Sequence, residues 1–222
     1  MNDEPQGATG KSRRRKHGIY DSPTGAKLYN LWGRLTESRA HTRALEAARL
    51  APGESVLEVA VGTGQLFFRL RQVERLKRCI GVELAPGMLD QARRRLARTP
   101  HPQGALCRAD ARHLPFPAQT FDLILNTYML DLLSEGEIHE VLTEFRRTLR
   151  PGGRLILLVM AKQNWLVQGM WMWAYAHCPT LVGGCRPVAL DDFFAMAGWR
   201  IESREQISQN GFRSEMVVAR IR

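Results

Sequence analysis

The sequence predicts an α/β fold: a doubly wound, mostly parallel sheet of seven strands with helices on both faces. Three observations carry that expectation. Between residues 56 and 160, five short runs rich in branched residues alternate with helical periods, as strands do when helical connections return over a sheet. The first strand runs directly into a glycine turn, Gly62-Thr63-Gly64, that opens a helix. After residue 160 the alternation stops. The chain closes on two consecutive alternating strands around Gln209-Asn210-Gly211, which suits a hairpin turn.

In order, two helices are expected before the sheet, around Ala26–Trp32 and Glu37–Leu50. Pro52-Gly53 signals a turn, and Val56–Val59 reads as a buried strand. Gly62 and Gly64 bracket a bend before the amphipathic run Leu66–Leu70, whose free N–H groups would point at whatever lies there. Cys79–Val82 is the second strand and ends on Glu83. Pro86–Ala97 is a helix with proline in its first turn. Ala105–Cys107 leads to Asp110, and Phe121–Asn126 closes on a polar residue. Ser134 suits the N-cap of a helix over Glu135–Leu149. Leu149-Arg150-Pro151-Gly152-Gly153 reads as a helix stop before the fifth strand, Arg154–Met160. A short helix over Asp191–Ala197 and strands over Trp199–Gln206 and Arg213–Ile221 complete the pattern.

Composition bounds the function. A chain of 222 residues with 44% hydrophobic content is expected to form one soluble domain over residues 19–222. The four cysteines form no Cys-x-x-Cys pair and have no metal-type spacing with histidines, so free thiols, a reducing cytoplasm and no metal site are expected. No signal peptide pattern opens the chain, and Lys162-Gln163-Asn164 interrupts the one apolar run that approaches a membrane span. Residues 1–18 read as a disordered basic tail, yet most of the formal charge of +10 belongs to the rest. Arg93-Arg94-Arg95-Arg98 and Arg146-Arg147-Arg150 fall on expected helices. They are either solvated faces or a surface for an anionic membrane or nucleic acid.

A strand, a Gly-x-Gly turn and a helix start describe a nucleotide-type cofactor site. A dinucleotide site would want a third glycine where Phe67 stands, and a P-loop would want Gly-Lys-Ser/Thr after Gly64. Neither pattern is met. The order of strands, with Glu58, Glu83, Asp110 and Asn126 at or near their ends, resembles the class I S-adenosylmethionine (SAM)-dependent methyltransferases over roughly residues 20–222. Their Rossmann-like sheet ends on an antiparallel strand.

That resemblance implies SAM as cofactor and S-adenosylhomocysteine as product. It assigns Glu58 to the methionine amino group and Ala60, Gly62, Thr63, Gly64 and Gln65 to the loop beneath the methionine portion. Ala60 replaces the glycine common at its position. Glu83 would take the ribose diol, Leu84 and Met88 would flank the adenine, and Asp110 with Ala111 would face the adenine amino group. Asn126 would face the transferable methyl. Tyr29 resembles the tyrosine that covers the cofactor in many small-molecule members, and it could equally be a core contact.

The family's reaction needs mainly alignment, and a general base only where the acceptor must lose a proton. His139, His177 and Tyr128 are candidates without a supporting motif, so no catalytic residue is assigned. Asn126 is not followed by the Pro-Pro pair of many amino-methylating nucleic-acid enzymes. The resemblance is strongest to the ubiquinone/menaquinone-biosynthesis type and to bacterial phospholipid N-methyltransferases. It implies a small lipophilic or aromatic acceptor, lipid or quinone-like, with peripheral contact to an anionic membrane. RNA or protein methylation on the basic surface, or non-catalytic SAM binding, are the alternatives. A helical cap is expected at about 162–190. Within it Trp165–Cys178 is apolar on every face, as a core helix, a homodimer interface or a lid over the acceptor would be. Tyr20, Tyr128, Met129, Trp165, Trp171 and Trp173 are the candidate acceptor contacts. Monomer and homodimer both stay open.

Overall fold

The first strand of the sheet, β1 (Ser55–Val59), is buried along its whole length between two parallel neighbours, β2 (Arg78–Glu83) and β4 (Phe121–Thr127). This is a computed structural model, and it describes residues 33, 35–73, 76–98, 104–161, 169–170, 172–173, 176–177 and 185–222. β3 (Ala105–Arg108) lies outside β2, and β5 (Leu149–Met160) lies outside β4. β7 (Phe212–Ile221) runs antiparallel to β5, and β6 (Trp199–Gln209) forms the far edge. The seven-stranded order is therefore β3-β2-β1-β4-β5-β7-β6, the doubly wound sheet with an antiparallel last strand that the sequence predicts. The strand order reverses between β1 and β4, and in such sheets the crevice outside the carboxyl ends at that point receives ligands.

Five α-helices are described: α1 (Ser38–Ala48), α2 (Gln65–Leu70), α3 (Pro86–Leu96), α4 (Glu135–Thr148) and α5 (Asp191–Met196). Strand alternation sorts the core into two layers. Leu57, Val59, Ile124, Leu155 and Leu157 pack with Ile138, Leu142 and Phe145 of α4. Val56, Leu123, Leu125, Ile156 and Leu158 pack with Ala40, Ala44 and Ala48 of α1 and Leu66, Phe67 and Leu70 of α2. Glu58, two residues after Val56, belongs by alternation to this second face.

Local chemistry accounts for the boundaries. α4 starts on a reciprocal cap, in which Glu137 Oε2 accepts the Ser134 backbone N–H at 2.8 Å and the Ser134 side chain accepts the Glu137 backbone N–H. α1 stops at Ala48, short of the expected Leu50, because Arg49 turns left-handed at φ 43° and returns its N–H to Glu46 O. β5 starts five residues earlier than expected. Leu149 already pairs with Phe121, and Pro151-Gly152-Gly153 forms an irregularity within the strand instead of a stop before it. The β6–β7 hairpin turns on Asn210 (φ 49°) and Gly211 (φ 82°), the paired positive angles of a two-residue turn.

The structure also neutralises part of the basic surface. Arg147 pairs with Glu144 and Arg150 with Asp122, and Arg154 bonds both Glu54 and the C-terminal carbonyl of α1 at Ala48. The expected helix over Ala26–Trp32 and the basic tail over residues 1–18 lie outside the described residues. Among the described residues, no helix is long and apolar enough to cross a membrane.

Candidate functional site

The bend after β1 is held from two sides. Val61 N–H bonds Val82 O of β2 at 3.0 Å, and Gly62 N–H bonds Glu83 Oε2 at 2.8 Å. Gly64 N–H closes the turn on Val61 O, and Arg95 of α3 grips Thr63 O at 3.0 Å. Gly64 needs to be glycine on two counts. Its φ is 77°, and a Cβ there would stand 3.0 Å from Ala92 Cβ on α3. Its small size thus serves the approach of α3. Phe67 is fully buried and fills the hollow over Gly81, whose missing side chain makes the room.

Around this bend lie three acids. Glu83 receives Gly62 N–H on one oxygen and Ala85 N–H on the other, at 2.8 and 2.9 Å. Glu58 is buried and its Oε2 meets no donor. Burial first, then the charge of Glu83, push its carboxyl well above the usual carboxylate range. Asp110 is clasped by Arg112, which gives it the backbone N–H at 3.0 Å and the guanidinium at 2.6–3.2 Å. That pairing lowers the Asp110 pKa and leaves only its remaining lone pairs for a ligand. Met88 and Ala111 are buried close to this end of the sheet, and Leu84 is exposed. On β4, Asn126 donates Nδ2 to Val59 O at 2.9 Å, tying β4 to β1 where the strand order reverses. Its Oδ1 is buried without a donor.

The comparisons with known proteins meet this geometry. Residues 56–153, from β1 into β5, match a methyltransferase domain model. The chain is 36% identical over 139 residues to a demethylmenaquinone methyltransferase of Symbiobacterium thermophilum, covering 62% of this chain and 51% of that protein. It is 31% identical over 151 residues to the ubiquinone/menaquinone biosynthesis C-methyltransferase UbiE of Cellvibrio japonicus, covering 67% and 57%. The matched stretch thus spans little more than half of these relatives. Among solved structures, the YcgJ protein of Bacillus subtilis superposes with a TM-score of 0.67 at 15% identity, over 83% of this chain and 98% of that one. A geranyl diphosphate methyltransferase in complex with GPP and sinefungin superposes at 0.66 and 15% identity, over 81% and 76%. The chain carries a class I SAM-dependent methyltransferase domain.

In this methyltransferase domain, the unpartnered buried atoms fit such a cofactor. Native buried polar atoms rarely lack partners. Of the four that do among the described residues, Glu58 Oε2, Asn126 Oδ1 and His41 Nε2 belong to the carboxyl ends of β1 and β4 or to the helix beside them, and the fourth, Trp199 Nε1, lies apart on β6. A small cavity of about 30 Å³ opens there, lined by Glu37, His41, Glu58, Ala60, Gly62 and Thr127 among others. Thr63 and Gln65 line it too, so four of the five loop residues expected beneath the methionine portion come together, and Gly64 does not line the cavity.

The acceptor side differs more from expectation. Tyr128 is buried, with its hydroxyl 2.6 Å from Ser214 Oγ, and burial pushes that hydroxyl well above the usual phenol range. It is a core residue and offers no free hydroxyl to an acceptor. Met129 packs at the edge of the core. His139 is exposed on α4, and His177 is exposed and stacked on Trp173 at 5.0 Å. Neither histidine lines the cavity. Tyr20, Tyr29, Trp165 and Trp171 lie outside the described residues. Of the cap helix, Met170 and Trp173 are 74% and 62% exposed.

Sequence reasoning missed Glu37, His41 and Asp131. A signal existed for the first two. Positions 37, 41, 44 and 48 share one helical stripe, so two polar side chains stand on the face that Ala44 and Ala48 bury. Asp131, in a 3-10 turn over Leu130–Leu132, accepts Met160 N–H on both oxygens at 3.0 and 3.2 Å. No local pattern marks it, because its partner lies on another strand.

Proposed function

We propose that this domain transfers the methyl group of SAM to a small lipophilic or aromatic acceptor, quinone-like in chemistry, by in-line displacement. The observation that carries the reading is the set of buried polar atoms without partners at the ends of β1 and β4, in a chain 31–36% identical to quinone-pathway methyltransferases. When bound, SAM would supply an activated methyl on a sulfonium, so the protein's part is to bind, orient and exclude water. Glu58 would hold the methionine amino group and Glu83 the ribose diol. Asp110 and Ala111 would meet the adenine edge, and Asn126 would border the path of the methyl. Rigid placement of this kind can supply on the order of 7–11 kcal/mol of a bimolecular barrier. The exposed Met170 and Trp173 support a cap that meets an apolar acceptor, with a membrane surface as its source, and a cytoplasmic, membrane-peripheral setting follows from that reading.

The test uses the full chain with methyl-labelled SAM, a short-chain demethylmenaquinol analogue, extracted lipids and RNA. Label is expected in the quinol or lipid fraction. Trp173→Ser is expected to cut that turnover several-fold while SAM affinity stays within about twofold. Label confined to RNA, or tight NADH binding with no SAM binding, would sink the proposal.

A further inference from the structure

Glu37 stands at the N-terminal edge of α1, and His41 follows one turn on. Both are buried, at 5% and 7% exposure, and both line the same cavity as Glu58, Gly62 and Thr63. The surroundings of Glu37 are acidic. Asp131 in the 3-10 turn and Tyr128 after β4 face it, His41 shares its helix, and Glu58 lies across the cavity on β1. The nearby arginines are engaged elsewhere. Arg69 faces His41 and bonds Thr42 Oγ1 at 3.0 Å, while Arg186 faces Asp131 and bonds Leu133 O. Among the described residues, no cation pairs with the Glu37 carboxylate.

A buried carboxyl that lines a ligand cavity, with no cation beside it among the described residues, either stays protonated or is matched by a positively charged ligand. Glu58, at the end of β1, is placed for the methionine ammonium. Glu37 instead keeps company with Thr127, Tyr128 and Asp131 at the end of β4, beside Asn126, which the cofactor reading above sets along the path of the methyl. We infer that Glu37 is a second carboxylate of the cofactor site, facing the sulfonium of SAM and thereby favouring it over the neutral thioether of S-adenosylhomocysteine. The inference rests on the cofactor reading above and deepens it: the helix before the sheet distinguishes charged cofactor from spent product.

A proton linkage follows. Burial first, then Asp131, raise the Glu37 carboxyl to about 8, so near pH 7 the ligand-free group is mostly protonated. A facing cation favours its ionised form, so binding would expel that proton and SAM affinity would rise with pH up to about 8. His41 stays neutral through this range, because burial and Arg69 lower it to about 4.

Titration calorimetry on the full chain tests this without any acceptor. SAM and S-adenosylhomocysteine are titrated in phosphate and Tris buffers from pH 6 to 8.5, into wild type and Glu37→Gln. Wild type is expected to release about one proton more with SAM than with S-adenosylhomocysteine. The wild-type-to-variant affinity ratio for SAM should grow about tenfold per pH unit below pH 8, while the ratio for S-adenosylhomocysteine stays flat. Equal losses for the two ligands, or no loss for either, would overturn the inference. Should Glu37→Gln fail to fold, the wild-type comparison decides alone, since equal proton release with both ligands is the overturning result. Failure of wild type to bind SAM at all would overturn the cofactor reading and this inference together, whereas SAM binding indifferent to Glu37 overturns only the latter.

Discussion

Ala60 holds a left-handed backbone, φ 60°, at the position where class I methyltransferases commonly carry glycine. The structure gives the reason for that preference, since the bend out of β1 demands a positive φ. An L side chain there costs about 1–2 kcal/mol. Glycine would recover it but return about 0.4–1 kcal/mol through a freer unfolded chain. Ala60→Gly is therefore expected to raise stability by up to about 1 kcal/mol, or about 2–4 °C in melting temperature, with SAM affinity unchanged. A thermal melt that falls by several degrees would contradict the strain argument. Gly64 is the opposite case, because Ala92 of α3 occupies the space that a side chain would need.

At the scale of elements, the joint between β2 and α2 depends on one complementary pair. A Cβ on Gly81 would stand 2.6 Å from Leu106 Cδ2, 2.7 Å from Val61 Cγ1 and 3.0 Å from Phe67 Cε2. Gly81→Val forces apart two buried neighbours and the half-buried Leu106, and overpacking of this kind typically costs about 1–3 kcal/mol. Urea unfolding should show that loss, with Phe67→Leu in the same chain restoring part of it, because contacting residues couple by about 0.5–3 kcal/mol. Strictly additive losses would mean that Phe67 does not fill the hollow over Gly81. Since Val61 belongs to the cofactor bend, the same substitution should also weaken SAM binding.

For the whole molecule, the buried acids beside the site predict an unusual pH profile. Glu37 is raised from 4.5 to about 8, mainly by burial, and Asp131 from 3.8 to about 7, also mainly by burial. The native state therefore binds more protons than the unfolded chain between those values, and stability falls as pH rises through them. His41 acts in the opposite sense. It is lowered from 6.5 to about 4, so its contribution grows as pH rises across that span. Between about pH 4.5 and 6.5 the two acids outweigh the one histidine, so the ligand-free protein should be most stable at about pH 4–5 and lose stability steadily toward pH 8. Saturating SAM should flatten the alkaline limb. Melting temperatures across pH 4–9 check this, and a steady rise through pH 8 in the ligand-free protein would show that both acids are already ionised.

By itself the sequence determined the sheet, its helical connections and the cofactor bend. These follow from short-range chemistry: short runs of branched residues in β1, β2 and β4, the glycines at 62 and 64, the Ser134 cap and the Asn210-Gly211 turn. It also placed Glu58, Glu83 and Asn126 at strand ends, because a parallel sheet brings all its carboxyl ends to one edge. Only the tertiary structure decided what those side chains meet. Arg112 claims part of Asp110, Ser214 claims Tyr128 from 86 residues away, and Asp131 is drawn to Met160 N–H across the sheet. It likewise set Glu37 and His41 of α1 against the bend, where a local reading sees only two polar residues on an amphipathic helix. The division has a physical cause. Backbone geometry is governed by neighbours a few residues away, whereas the partner and ionisation of a buried polar group depend on whichever distant segment folding packs against it.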